Sequence, residues 1–238
     1  MLAIGDASGM HASVVDAAER RELMSLGLDG LDVSPGTSCI AFSRKADCLA
    51  CGGIDGRVAA WHLPTKKLLW QRVVHDGIVA SLAFSPDGGL LLSGGWDAEL
   101  MLTAVSSGEL SQRLGKQPLP VYSVGVSEDG KRLAAGLFGP GAADARLIVW
   151  NSKTLVREPF PSHSFSVSGL VFLPDGTLVS AGQDQTIRLT DLSTRRDRLV
   201  LDESPRIFES LAVSHDGRTL AAGCRDGSVL LYHSPLSD

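Results

Sequence analysis

The sequence has little cysteine, few aromatic side chains and no long apolar run. Four cysteines in 238 residues are too few for a disulfide scaffold. A chain of this length can bury its core without covalent staples. No apolar stretch approaches the roughly 18 residues that span a bilayer as a helix, so no membrane association is expected. The N-terminus, Met1-Leu2-Ala3-Ile4-Gly5-Asp6, has no basic region and meets an acid at once, so a signal peptide is not expected. Positive charge is not in excess either. There are 22 basic and 27 acidic residues, a formal net charge of −5, which argues against nucleic acid as a main partner. These absences lead to the expectation of a soluble, cytoplasmic protein.

Signatures of catalysis are missing as well. The six histidines, His11, His62, His75, His163, His215 and His233, form no H-E-x-x-H pair, and there is no G-x-S-x-G elbow or G-x-x-x-x-G-K phosphate loop. Cys48-Leu49-Ala50-Cys51 has the C-x-x-C form of redox and zinc sites. The repeat described below places both cysteines on one strand. Three residues apart, they point to opposite faces and cannot share a metal. Cys39 and Cys224 are isolated in sequence. No metal, cofactor or catalytic residue is expected.

What the sequence does have is an internal repeat. The phrase Ala83-Phe84-Ser85-Pro86-Asp87-Gly88 returns as Val126-Ser127-Glu128-Asp129-Gly130, Phe172-Leu173-Pro174-Asp175-Gly176 and Val213-Ser214-His215-Asp216-Gly217. A weaker copy is Phe42-Ser43-Arg44-Lys45-Ala46. Anchored on Phe42, Phe84, Val126, Phe172 and Val213, the spacings are 42, 42, 46 and 41. The long interval holds the insertion Gly139-Pro140-Gly141-Ala142. Each unit continues with a short apolar run, small residues and an aspartate: Asp55, Asp97, Asp144, Asp184 and Asp226. Six residues later stand Trp61, Thr103, Trp150, Thr190 and Tyr232. Asp-Gly turns favour tight hairpins, and the runs between them have strand composition. About 40–45 residues with four strands make one propeller blade. The expected fold is all-β, a β-propeller of four-stranded antiparallel blades. The repeats divide as 37–78, 79–120, 121–166, 167–207 and 208–238, after a partial N-terminal blade and linker in residues 1–36.

On these residues the sequence resembles the WD40 repeat family, clearly over residues 37–234 and faintly over 2–36. The resemblance implies a structural tetrad of loop His, strand Ser or Thr, turn Asp and strand Trp. His75, Ser93 and Asp97 match three positions, with Thr103 in the Trp slot. His163, Ser180 and Asp184 match again, with Thr190 there. Asp55 with Trp61, and Asp144 with Trp150, match half, and Asp226 pairs with Tyr232. No tetrad is complete, which implies a divergent propeller with weaker cross-links between strands. A kelch reading would rest on Gly52-Gly53 and Gly94-Gly95 but lacks the regular downstream Tyr and Trp.

Residues 1–36 read two ways. Taken alone, residues 14–26 (VVDAAERRELMSL) suit an amphipathic helix capped by Ser13. Aligned to the repeat, they fall on strands, and Leu2-Ala3-Ile4-Gly5 matches Leu220-Ala221-Ala222-Gly223. The repeat alignment is preferred, so the chain starts inside a blade and its last blade stops after three strands. The ring is then open, completed by a partner, or cut from a longer parent. Open edges invite strand pairing with another chain.

The resemblance further implies that the residue before each turn aspartate faces the partner-binding end of the propeller: Ile54, Trp96, Ala143, Gln183 and Arg225. Two residues past the histidine slot stand Gly77, Leu119, Phe165 and Arg206. Trp96, Phe165, Arg206 and Arg225 are of types enriched at interface hot spots, and Phe138 beside the insertion can join them. The bland alternative is that Trp96 packs between blades. Dibasic pairs, Arg20-Arg21, Lys66-Lys67 and Arg195-Arg196, recur in one turn and could meet an acidic partner, or be solvated hairpin tips. The expected function is a non-catalytic scaffold that presents loop residues to protein or peptide partners. The alternatives are a sensor or regulatory module of a larger protein, or a propeller enzyme with a channel active site.

Overall fold

Twenty-two strands and no helix occur among the described residues. A computed structural model describes residues 2–5, 12–16, 19–26, 36–139, 146–160, 163–201, 205–214 and 216–234. They fall into two units, Met1–Val121 and Tyr122–Asp238. In the first unit, β1 (Leu2–Gly5), β2 (Ala12–Asp16) and β3 (Arg21–Leu26) form a three-stranded sheet. Residues 14–16 and 21–26 are therefore strands, not parts of one helix. A four-stranded sheet follows: β4 (Thr37–Phe42), β5 (Cys48–Gly53), β6 (Arg57–His62) and β7 (Lys67–Val73). A second holds β8 (Val79–Phe84), β9 (Leu90–Gly95), β10 (Leu100–Ala104) and β11 (Leu110–Arg113).

The second unit repeats the pattern. One sheet holds β12 (Val121–Val126), β13 (Arg132–Leu137), β14 (Leu147–Asn151) and β15 (Arg157–Phe160). The next holds β16 (Val167–Phe172), β17 (Leu178–Gly182), β18 (Ile187–Asp191) and β19 (Arg196–Leu201). The last has three strands, β20 (Phe208–Val213), β21 (Thr219–Cys224) and β22 (Val229–His233). Each sheet is an antiparallel meander in chain order, the topology of a propeller blade.

The turn between the first two strands of a blade explains the repeated phrase. Ser85 Oγ donates to Asp87 Oδ1 at 2.6 Å and accepts the Leu90 N–H at 2.9 Å. Ser127 does the same with Asp129 and Arg132, and Ser214 with Asp216 and Thr219. The next residue must turn left-handed: Gly88, Gly130, Gly176 and Gly217 have φ between 67° and 83°. In the weak copy Ala46 takes this conformation, at φ 53°, where a Cβ costs roughly 1–2 kcal/mol.

Blades pack face to face within each unit. Trp61, fully buried, joins Leu49, Cys51 and Leu63 of its own blade to Val14, Leu23 and Met24 of the first sheet. The next interface also holds an indole, but from the outer strand. Trp70 is buried with Val58, Val79 and Leu91 and donates Nε1–H to the Val105 carbonyl at 2.7 Å. A Cβ on Gly108 would sit 2.5 Å from its ring, so glycine is required beneath the indole. In the second unit Phe160, Leu170 and Leu178 fill one interface, and Ile187, Phe208 and Tyr232 the next. Serines tie neighbouring inner strands together: Ser38 Oγ donates to the Val79 carbonyl at 2.6 Å, and Ser123 Oγ to that of Val167 at 3.0 Å.

Candidate functional site

The end of each blade that carries the turn between its second and third strands brings the sequence-predicted residues together. His75 and His163 enter it from the connections that follow β7 and β15. His75 Nδ1–H donates to Asp97 Oδ1 at 3.0 Å, and its Nε2 accepts from Ser93 Oγ at 2.9 Å. Asp97 also accepts the backbone N–H groups of Asp76 and Glu99, at 2.9 and 3.0 Å. In the second unit His163 bonds Asp184 at 2.9 Å and Ser180 at 2.8 Å, while Asp184 accepts from Ser164 N–H and Thr186 Oγ1. Both imidazoles are buried against a glycine. A Cβ on Gly95 or Gly182 would lie 2.5 Å from the histidine Nδ1. The second glycine of Gly94-Gly95 is thus room for the tetrad ring, not a kelch signature.

The remaining turns are simpler. Asp55 accepts the Arg57 N–H at 3.1 Å and pairs with its guanidinium. Asp226 accepts from Ser228 and holds Arg206 Nε at 3.0 Å. Asp144, like Ala143, lies outside the described residues. Trp61 and Trp150 are fully buried, and Thr103 and Thr190 are buried in the slots where the family has Trp. Thr190 Oγ1 instead donates to Asp197 at 2.8 Å.

Burial pushes the His75 imidazolium down from its ordinary value, and the Asp97 charge only partly offsets it. Burial pushes Asp97 up, but the Asp76 and Glu99 N–H groups and His75 outweigh it and hold the carboxyl low. Asp184 is held low in the same way by His163, Ser164 and Thr186. A histidine depressed in the folded state is protonated first in the unfolded chain. Its contribution to stability is complete above the ordinary value of 6.5 and is lost as pH falls below it. Asp97 adds a second loss in the same direction below 3.8. The melting temperature should therefore fall between pH 7 and pH 5. His75→Gln, less stable at neutral pH, should show a flatter profile over that window. A wild-type melting temperature that rises on acidification contradicts the arrangement.

The proposed contact residues are placed differently. In the first unit Trp96 is 47% exposed and Ile54 is 44% exposed. Trp96 donates its N–H to the Ile78 carbonyl at 3.0 Å, and the next residue is the fixed Asp97. In the second unit Phe165 is exposed, with the buried Arg146 guanidinium 5.9 Å from its ring centroid. Gln183 is half-buried, its backbone N–H bonded to Ser166. Phe138 stacks on Tyr122 at 5.2 Å between centroids. Arg225 bonds Glu209 at 2.6 Å, and Tyr122 OH donates to the other Glu209 oxygen at 3.3 Å. Arg206 and Arg225 are thus paired with carboxylates while their side chains stay 41% and 55% exposed.

Arg146, Tyr122 and Glu209 were not singled out by the sequence. Glu209 sits at a bulge of its strand, where the pairing slips between Phe208 and Ser210, and such bulges break the alternation from which facing is read. The basic turns also differ among themselves. Arg195 bonds Glu158 at 2.9 Å and lies over Phe160, and Arg21 pairs with Glu19. Arg20, Lys66 and Arg195 all have positive φ, so the turn selects its shape and not its charge. Among the described residues no three His, Cys, Asp or Glu side chains are grouped to hold a metal ion.

Recurrent four-stranded meanders, stacked through apolar faces and closed by His–Asp turns, define a β-propeller protein. The model of the WD domain, G-beta repeat matches residues 66–102, 153–191 and 203–233, so the chain carries WD40 repeats in these three regions. The first two matches begin at an outer strand and run through three strands of the following blade.

The chain is 28% identical over 225 residues to guanine nucleotide-binding protein subunit beta-1 of Nicotiana tabacum, covering 83% of this chain and 57% of that protein. It is 24% identical over 230 residues to guanine nucleotide-binding protein subunit beta of Zea mays, covering 86% and 59%. With actin-interacting protein 1 of Caenorhabditis elegans it shares 29% identity over 169 residues, covering 68% and 27%. The chain thus spans less than three fifths of these relatives' length. Among solved structures it is similar to the β-propeller domain of Cps50 (Swd1) from Myceliophteria thermophila, with a TM-score of 0.74 and 23% identity, covering 85% of this chain and 66% of that one. That likeness is one of fold.

Proposed function

We propose that the protein is a non-catalytic interaction module that presents blade-end side chains to protein or peptide partners. The observation that carries this reading is Trp96: a large aromatic, 47% exposed, on a loop whose next residue is locked by His75, Asp76 and Glu99. A fixed aromatic loses little conformational entropy on binding, and tryptophan is the residue type most often found at hot spots. Phe165, braced by Arg146, offers the same in the second unit. The catalytic alternative has less support, because the buried histidines and their aspartates at these ends already partner one another. The similarity to G-protein β subunits, which by name are subunits of a larger protein, favours a scaffold. Pairing of a strand from another chain with β22 is a second route in this proposal, since Val229 and Leu231 on it are exposed. The cytoplasmic location expected from the low cysteine content belongs to the proposal too.

The test is affinity purification from the native source with wild type and Trp96→Ala in parallel. The variant should retain partners at least about tenfold less well and melt within about 0.5 kcal/mol of wild type. An unchanged partner set, or a large loss of stability, goes against the reading.

A further inference from the structure

A second surface lies on the outer strands of the first unit, away from the turn ends. β7 and β11 are the outermost strands of neighbouring blades. Between them runs a cleft of about 290 Å³ lined by Val73, Val74, Met101, Thr103, Leu110 and the two arginines Arg72 and Arg113, with Gly108 and Glu109 at its turn. Trp70 closes the space beside it through Val105 and Gly108. Its rim sets exposed aliphatic side chains among charged ones: Val73 is 68% exposed and Leu110 is 49% exposed.

The charge here runs against that of the chain. The whole molecule carries −5. Yet Lys66, Lys67, Arg72 and Arg113 stand exposed along these two strands and their turns, opposed by the single lining acid Glu109. Both strands present an outer edge, and an added strand alternates its side chains with a period of two. A segment that places apolar residues in the cleft and carboxylates at the guanidinium groups matches both properties.

We propose that this cleft is a docking groove for a short acidic peptide segment of a partner protein, one that alternates carboxylate and aliphatic side chains. The groove is separate from the Trp96 surface and does not depend on it. Nucleic acid fits less well, because no aromatic side chain lines the cleft for a base to stack on.

The probe is a fluorescein-labelled dodecapeptide of alternating glutamate and leucine, read by fluorescence anisotropy. Wild type should bind it saturably below about 1 mM, with affinity that weakens as salt is raised. Leu110→Asp, and separately Arg72→Glu combined with Arg113→Glu, should each weaken binding about tenfold or more. These exposed positions should leave the melting temperature unchanged, and Trp96→Ala should bind as wild type does. The proposal is overturned if wild type fails to saturate, if both groove variants bind as wild type, or if a lysine-for-glutamate peptide or oligothymidylate binds as tightly.

Discussion

Asp184→Ala should unfold its blade at a markedly lower temperature than wild type. The change removes the acceptor of the His163 Nδ1–H, of the Ser164 N–H and of Thr186 Oγ1. The ring is fully buried, and the other polar group beside its Nδ1 is Thr186 Oγ1 at 3.1 Å. A buried donor left unsatisfied costs about 1–3 kcal/mol, which falls on the His163 N–H, and the lost bonds of the exposed Ser164 and half-buried Thr186 add about 1 kcal/mol, so a total of about 2–4 kcal/mol is expected. In a chain of this length that corresponds to a fall of roughly 4–16 °C. Asp184→Asn keeps one acceptor oxygen for His163 and loses the one facing Ser164, so it should cost about half as much. Thermal melts of the three proteins check this. Equal losses for Ala and Asn would mean that charge, not acceptor geometry, holds the turn.

The second large effect belongs to Trp61. Its indole is the main filling between the first two sheets, against Val14, Leu23 and Met24. Trp61→Ala leaves a void that rigid strands cannot close, and roughly 3–5 kcal/mol should be lost. Trp96→Ala, on an exposed loop, should cost almost nothing. Chemical denaturation of both variants reads the difference. The two tryptophans, which the repeat places in different slots, would then differ in role, one as packing and one as contact surface.

The strands were legible because their turns are. Ser85-Pro86-Asp87-Gly88 and its copies name both the residue that bonds the turn and the one that must adopt positive φ. The two His–Ser–Asp constellations were legible through the resemblance to the WD40 repeat, and the opposed facing of Cys48 and Cys51, which pack in different cores, from their spacing on one strand. The contacts that tune the exposed ends were not. Arg225 meets Glu209, and Glu209 meets Tyr122 across 87 residues of chain. Nothing local marks either end, and the bulge at Glu209 shifts its facing by one residue. The Trp70–Gly108 pair escaped for a related reason. The repeat puts its indole at the position of Trp61 and Trp150, whereas here the preceding blade supplies the ring from its outer strand and Thr103 gives way. Arg195 read as a free charge until Glu158, on the adjacent blade, was seen to hold it.

The account rests on the recurrent acids being structural fasteners, and amide hydrogen exchange on Asp184→Ala tests this most directly. In wild type the Ser164 and Thr186 amides bond to the Asp184 carboxylate, as those of Asp76 and Glu99 bond to Asp97. All four should exchange slowly in wild type. In the variant, Ser164 and Thr186 should lose protection while Asp76 and Glu99 keep theirs. If Ser164 and Thr186 exchange as fast as free loop amides already in wild type, or stay protected without Asp184, the carboxylate is not what closes the turn.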